Sequence, residues 1–307
     1  MAAKRSIIID TDPGIDDALA IFLACASPEF DIRAITTVAG NVGINRTTRN
    51  ALQLTELAGR VSIPVHRGAD RPLRGSWTTI EDIHGQNGLG DIDLPAPSRT
   101  EFSTAAVDAL IALLSDAAAD SMTLVLIGPQ TNLALALQRK PAIANAIREI
   151  AVMGGTLEPE GGNATRFAEF NIHVDPVAAD IVLKAGRPMI WAPLEVARQA
   201  SVDALWIDLL RAVSRPCTVA AAGMLDFYLR SFARPTAALY DPLTILALLM
   251  PELFELRSAA LEIDVSEGET AGQTRFRLSD GDGQVRVAAT CHADRVRTVL
   301  LERLAAL

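Results

Sequence analysis

Short apolar runs alternate with longer amphipathic stretches along most of this chain. Segments 6–10, 32–38, 63–66, 122–127, 149–153 and 189–193 are apolar almost throughout. That is the pattern of strands covered on both faces of a parallel sheet. Between them, apolar positions recur at helical spacing over 15–26, 47–58, 105–118, 131–138, 141–147 and 176–185. Regular alternation of this kind predicts βαβ units and an α/β fold with an open, mostly parallel sheet flanked by helices. The C-terminal third changes character. Segments 204–222 and 244–249 read as helices, 261–265, 275–278 and 284–290 as extra strands, and 294–305 as a final helix. Ser279-Asp280-Gly281-Asp282-Gly283 predicts a hairpin turn between the last two strands. These strands are expected to extend the same sheet, so that residues 1–307 form one domain. The stretch 68–104 is polar and punctuated by Gly and Pro. A loop of that length in an α/β domain is usually functional, here as a cover over a ligand.

Composition narrows the classes. Half of the 307 residues are hydrophobic, enough for a sizeable core. Lys plus Arg number 28 against 37 Asp plus Glu, a net charge of −9. A nucleic-acid polymer or an anionic membrane needs a basic footprint, which this balance does not offer. Cys25, Cys217 and Cys291 are odd in number and far apart, which argues against a disulfide framework or a structural zinc. The longest apolar runs, such as 243–250, are too short to span a bilayer. The first apolar run meets Asp10 too early for a secretory signal. A soluble, cytoplasmic protein is expected.

The most informative segment is Ile7-Ile8-Ile9-Asp10-Thr11-Asp12-Pro13-Gly14-Ile15-Asp16-Asp17. Four carboxylates crowd the carboxyl end of the first strand, where open α/β sheets bind ligands. Helix capping accounts for one or two of them. The rest repel one another unless a cation intervenes. An all-oxygen donor set suits Ca²⁺ or Mg²⁺ rather than zinc. Asp-x-Asp after a first strand also occurs in haloacid-dehalogenase-like phosphatases. Those need a later Lys for phosphate, and Lys4, Lys140 and Lys184 do not stand at strand ends.

At this point the sequence resembles the inosine–uridine-preferring nucleoside hydrolases. Asp10-Thr11-Asp12-Pro13-Gly14-Ile15-Asp16-Asp17 looks like the family's N-terminal signature. Further blocks follow in the expected order: Thr36-Thr37-Val38-Ala39-Gly40-Asn41, Gly128-Pro129-Gln130-Thr131-Asn132-Leu133-Ala134, Met153-Gly154-Gly155 with Asn163 and Ala168-Glu169-Phe170-Asn171, and Asp241-Pro242. The resemblance implies a Rossmann-like nucleoside hydrolase fold and hydrolysis of the N-glycosidic bond of ribonucleosides to ribose and free base. It implies a bound Ca²⁺ held by Asp12, Asp17, the Ile127 carbonyl oxygen and Asp241, with Asp12 also the base that activates a calcium-bound water. Asp16, Asn41, Asn163, Glu169 and Asn171 would hold the ribose, and Asp10 would support them from behind. A homo-dimer or homo-tetramer is the family's usual assembly. The residue types agree with this chemistry. Carboxylates and amide oxygens stabilise the oxocarbenium-like transition state, and direct attack by water predicts inversion.

One position departs from the family pattern. Tyr240 stands where His usually precedes the last Asp; tyrosine can donate a hydrogen bond to the leaving base, but its ordinary pKa of about 10 makes it a weaker acid at neutral pH, which leaves the leaving-group acid and the preferred base open. His84, in Ile83-His84-Gly85, resembles the family's His-Gly loop and is the first candidate to contact the base. Its alternative is an exposed loop histidine. His66 and His292 read as structural or surface residues, and His173 falls where the family varies. Phe167, Trp191, Phe227 and Tyr228 are candidate base-stacking aromatics, Tyr228 foremost, although aromatics are more often core. Glu195 could face the sugar's 5′ side. Asp175-Pro176 and Asp241-Pro242 both read as helix caps on sequence alone, and Glu169 and Asn171, if extended, point the same way. Alternatives to a ribonucleoside hydrolase are a hydrolase of another N-ribosyl compound, such as a nicotinamide or modified-base riboside, and a silent nucleoside- or ribose-binding protein.

Overall fold

The computed structural model describes residues 4–281 and 283–307. Its strands are β1 (Arg5–Thr11), β2 (Phe30–Thr37), β3 (Val65–Arg67), β4 (Met122–Leu126), β5 (Ile147–Met153), β6 (Met189–Ala192), β7 (Val202–Asp203), β8 (Thr236–Ala237), β9 (Phe254–Ile263), β10 (Thr274–Ser279) and β11 (Val285–Cys291). Among the described residues nine of them form one sheet, in the order β10-β9-β11-β6-β5-β4-β1-β2-β3, and β7 and β8 form a small separate pair. Every pairing from β11 to β3 is parallel, and only β9 runs the other way.

The apolar strand pattern has the consequence expected of it. Successive side chains of a strand face opposite ways. Ile7 and Ile9 pack with Leu19, Phe22 and Leu243 on one face. Ile8 packs with Leu124, Ile150 and Trp191 on the other. The chain lays down β1, β2 and β3 in one direction, then returns to place β4 on the opposite side of β1. The carboxyl ends of β1 and β4 therefore border the switch point where loops diverge and leave a crevice.

Three local expectations are corrected. The hairpin joins β9 to β10, and β9 lies between β10 and β11, so the turn at 279–283 does not join paired strands; its Asp282 lies outside the described residues. The segment 204–222 holds two helices, Ala204–Ala212 and Pro216–Ser231. They part at Ser214, whose φ is 59°, and at Arg215, where the following proline disfavours helix. Segment 141–147 is a 3₁₀ turn, Pro141–Ala146, rather than an α-helix. The sheet's two edges are modest. β3 has three residues. On β10, Arg275 pairs with Asp264, just past β9, and Arg277 pairs with Glu262.

Candidate active site

Four segments converge at the switch point. β1 ends in Asp10 and Thr11, Asp12 follows directly, and helix Ile15–Ala26 starts three residues after Asp12. Asp17, in the first turn of that helix, accepts the Thr11 hydroxyl, Asp12 N–H (3.3 Å), Gly14 N–H (2.9 Å) and the Asn41 side-chain amide (3.0 Å). So many donors fix one rotamer of a buried carboxylate. Asp12 is equally buried. Its Oδ2 accepts Asn41 N–H at 2.7 Å, while Oδ1 has no protein partner. Glycines hem it in. A Cβ on Gly40 would meet Asp12 Oδ2 at 2.1 Å, and one on Gly128 would meet Oδ1 at 2.5 Å.

Asp241 begins helix Asp241–Leu249 but does not cap it. Asp175 does cap its helix, accepting Ala178 N–H at 3.0 Å, and it also takes Leu73 N–H and the Thr131 hydroxyl. The two Asp-Pro pairs that look alike in sequence thus differ in employment. Carboxylate oxygens of Asp16, Asp17 and Asp241 lie within 4.8 Å of one another. The Oδ1 atoms of Asp12 and Asp16 are buried without hydrogen-bond partners. Among the described residues no Lys or Arg forms an ion pair with this group, although Arg234 lines the same cavity; His84 Nδ1 lies 4.0 Å from Asp16 Oδ1. Burial pushes the Asp16 and Asp17 carboxyls up to about 6, and Asp16 adds its repulsion to Asp17. Burial and then the surrounding carboxylates push Asp12 and Asp241 up as well. Orphaned carboxylate oxygens that repel one another, with the Ile127 carbonyl at hand, form a donor set that fits a hard divalent cation.

Asp10 lies underneath. Its Oδ1 accepts the Asn132 amide at 2.9 Å, and burial raises its carboxyl to about 7. Asn132 also donates to Thr37 O and accepts Ala69 N–H, tying β1, β2 and the start of the long loop together. Asn132 belongs to the Gly128–Ala134 block, but its residue type alone does not reveal this junction.

A cavity of about 480 Å³ opens over the group, within the roughly 300–1,000 Å³ of small-ligand sites. Asp16, Asn41, Ile127, Asn163, Glu169, Asn171, His84, Tyr228, Tyr240 and Asp241 all line it; Asp10, Asp12 and Asp17 do not. Glu169 and Asn171 arrive by a different local route from the extended one. Glu169 caps the short helix Phe170–Val174, taking Asn171 N–H at 2.9 Å and Ile172 N–H at 3.2 Å. Burial lifts its carboxyl to about 7. Asn171 donates to Ile127 O at 3.3 Å, and the exposed Asn163 holds Phe170 N–H.

His84 is buried, not an exposed loop residue. Its Nδ1 accepts Ile15 N–H at 3.1 Å, and burial lowers its pKa to about 4. It is therefore neutral at pH 7, with its proton on Nε2. Burial raises Tyr228 and Tyr240, which sit side by side and stay protonated. Trp191 is core, Phe167 and Phe227 lie off the cavity, and Glu195 does not reach it. Trp77, not singled out in the sequence, lines the cavity and donates to Gly40 O at 3.1 Å. The polar loop 68–104 was the only signal for it.

Comparison with known proteins now decides the family. The model described as inosine-uridine preferring nucleoside hydrolase matches residues 7–298. The chain belongs to this family. It is 40% identical over 310 residues to the pyrimidine-specific ribonucleoside hydrolase RihA of Photobacterium profundum, covering 98% of this chain and 99% of that one. The plant nucleoside hydrolase PpNRh1 superimposes with a TM-score of 0.90 at 34% identity, over 99% of both chains. The purine-preferring ribonucleoside hydrolase from Gardnerella vaginalis gives 0.91 at 31% identity, over 98% of both. The expected enzyme class and α/β fold stand, and no helix among the described residues is long and apolar enough to cross a membrane.

Proposed function

We propose that this nucleoside hydrolase cleaves the N-glycosidic bond of ribonucleosides with the help of a bound Ca²⁺. The observation that carries the reading is the trio Asp16, Asp17 and Asp241 with the orphaned Asp12 Oδ1, at the edge of a nucleoside-sized cavity. Asp12, Asp17, Asp241 and the Ile127 carbonyl would hold the ion. A bound divalent cation supplies a lowered pKa for water and a grip on vicinal hydroxyls. Asp12 Oδ1, with no other partner, takes the proton of the attacking water as its oxygen bonds to the anomeric carbon. The C–N bond breaks, its electron pair leaves with the base, and the surrounding carboxylates stabilise the cationic sugar. Asp16, Asn41, Asn163, Glu169 and Asn171 orient the ribose. His84 Nε2–H and the hydroxyls of Tyr240 and Tyr228 offer donors to the departing base. Attack from the face opposite the base inverts the anomeric carbon.

Pyrimidine ribonucleosides rank first as substrates, on the full-length identity with a relative named pyrimidine-specific. The test is reducing-sugar release from uridine, cytidine, inosine, adenosine, guanosine and nicotinamide riboside, with calcium and after chelation. Release that is lost on chelation and in Asp12→Ala supports the reading. Ribose binding with no release from any member sinks it.

A further inference from the structure

The loop between β5 and helix Phe170–Val174 carries Asn163 and Glu169 to the cavity, and its opening stretch is gripped from outside the site. Helix Leu194–Gln199 follows β6. From it Glu195 Oε1 accepts the Thr156 hydroxyl at 2.6 Å and Glu158 N–H at 3.3 Å, and Oε2 accepts Leu157 N–H at 3.0 Å. One turn later Arg198 donates to the Gly161 carbonyl at 2.9 Å. The loop folds closely onto this helix. A Cβ at Gly161 would lie 2.4 Å from Thr156 Oγ1 and 3.2 Å from Glu195 Oε1. From the other side the Thr274 hydroxyl exchanges hydrogen bonds with Thr156 N–H and O, both at 3.0 Å. Neither Glu195 nor Arg198 lines the cavity.

We propose that Glu195 and Arg198 are positioning residues for the sugar subsite, a clamp that orders residues 156–161 and so fixes where Asn163 and Glu169 meet the ribose. For its ligand this rests on the ribonucleoside reading. A polar loop released from the clamp samples many conformations, and the binding-competent one becomes a minor state. Apparent affinity then falls by its population. Once ligand is bound the loop is ordered again, so KM rises while kcat is largely kept.

The test compares Glu195→Ala, Arg198→Met, Asn163→Ala and the double variant Asn163→Ala/Glu195→Ala. Glu195→Ala should raise KM for uridine by about tenfold, with kcat within about threefold. It should weaken D-ribose binding by the same factor in calorimetry. The double variant should lose clearly less than the product of the two single losses, because part of the clamp's effect is exerted through Asn163. Amide exchange at Leu157, Glu158 and Gly162 should speed up in both clamp variants without ligand. Unchanged KM and exchange, or losses that multiply in the double variant, overturn the proposal. Should Glu195→Ala fail to fold, the exposed Arg198 carries the same comparison. If wild-type protein releases no sugar, the hydrolase reading falls, while amide exchange and ribose titration still decide the clamp.

Discussion

Calcium should stabilise this protein by an amount that depends on pH, with a sign fixed by the buried carboxylates. Asp17 is raised from 3.8 to about 6. A carboxyl raised in the fold holds its proton more tightly folded than unfolded. Below about pH 4 both states are protonated and no penalty is felt. As pH rises towards 6 the unfolded chain ionises first, and stability falls; above about 6 the penalty is complete. Two units correspond to about 3 kcal/mol for Asp17 alone. The repulsion is shared with Asp12, Asp16 and Asp241, so the four contributions do not sum. A cation at a hundredfold over its Kd contributes about 2.7 kcal/mol to the folded state. At ~2 cal/mol/K per residue this is about 4 °C in Tm for a chain of this length. The assay is thermal unfolding of metal-stripped protein at pH 5 and pH 8, with and without calcium. The shift should be about 4 °C or more at pH 8 and much smaller at pH 5, where protons compete for the ligands. Asp241→Asn, which removes one repelling charge, should raise the cation-free Tm at pH 8 and abolish the calcium response. A calcium shift equally large at pH 5, or one that survives in Asp241→Asn, refutes the reasoning.

Three further outcomes are expected. Gly128→Ala places a Cβ 2.5 Å from Asp12 Oδ1. Turnover should drop about a hundredfold through the displaced carboxylate, at a stability cost of about 1–3 kcal/mol; near-wild-type turnover would show that Asp12 tolerates displacement. His84 should titrate near 4 rather than 6.5 when its ring protons are followed by NMR, since burial disfavours the imidazolium; a measured pKa at or above 6.5 would remove its assignment as a neutral donor. Tyr240→Phe should lower kcat by about a hundredfold with little change in KM if the hydroxyl serves the departing base, and an unchanged kcat would leave that role to His84 or Tyr228.

Much of the fold was legible because both-face burial writes itself into apolar runs. The strands at 6–10, 122–127 and 189–193 needed only a residue or so of adjustment. Strand order among the last three was not legible, since β10 and β11 each look like partners of whatever precedes them, and only packing sets β9 between them. The site was legible where chemistry is dense. Four acids at one strand end have few bland explanations; Asp12, Asp16 and Asp17 do gather with Asp241, while Asp10 is taken by Asn132. It was illegible where function depends on what a side chain is not bonded to. Asp175 and Asp241 share the same dipeptide, and only the structure shows that one caps a helix and the other leaves its carboxylate to the cluster. Glu195 has the right type for a sugar ligand, yet three donors of the neighbouring loop claim it.

The modest sheet edges carry a consequence for how copies of this chain can meet. An edge strand recruits another strand through a row of unpaired amides and carbonyls, and it does so best when long, flat and uncharged. β3 is three residues long, and Phe102 already bridges to His66 on its outer side, donating its N–H to Val65 O at 2.9 Å. β10 bears Arg275 and Arg277, both committed to acidic neighbours. Head-on strand addition would have to pack against these ion-paired, charged side chains. The sheet is thus terminated by charged side chains at one end and by a short, partly covered strand at the other. Neither end of the sheet therefore offers a second copy a long ladder to join, and the faces left to such a contact are helices and loops, away from the strand ends that carry the carboxylates.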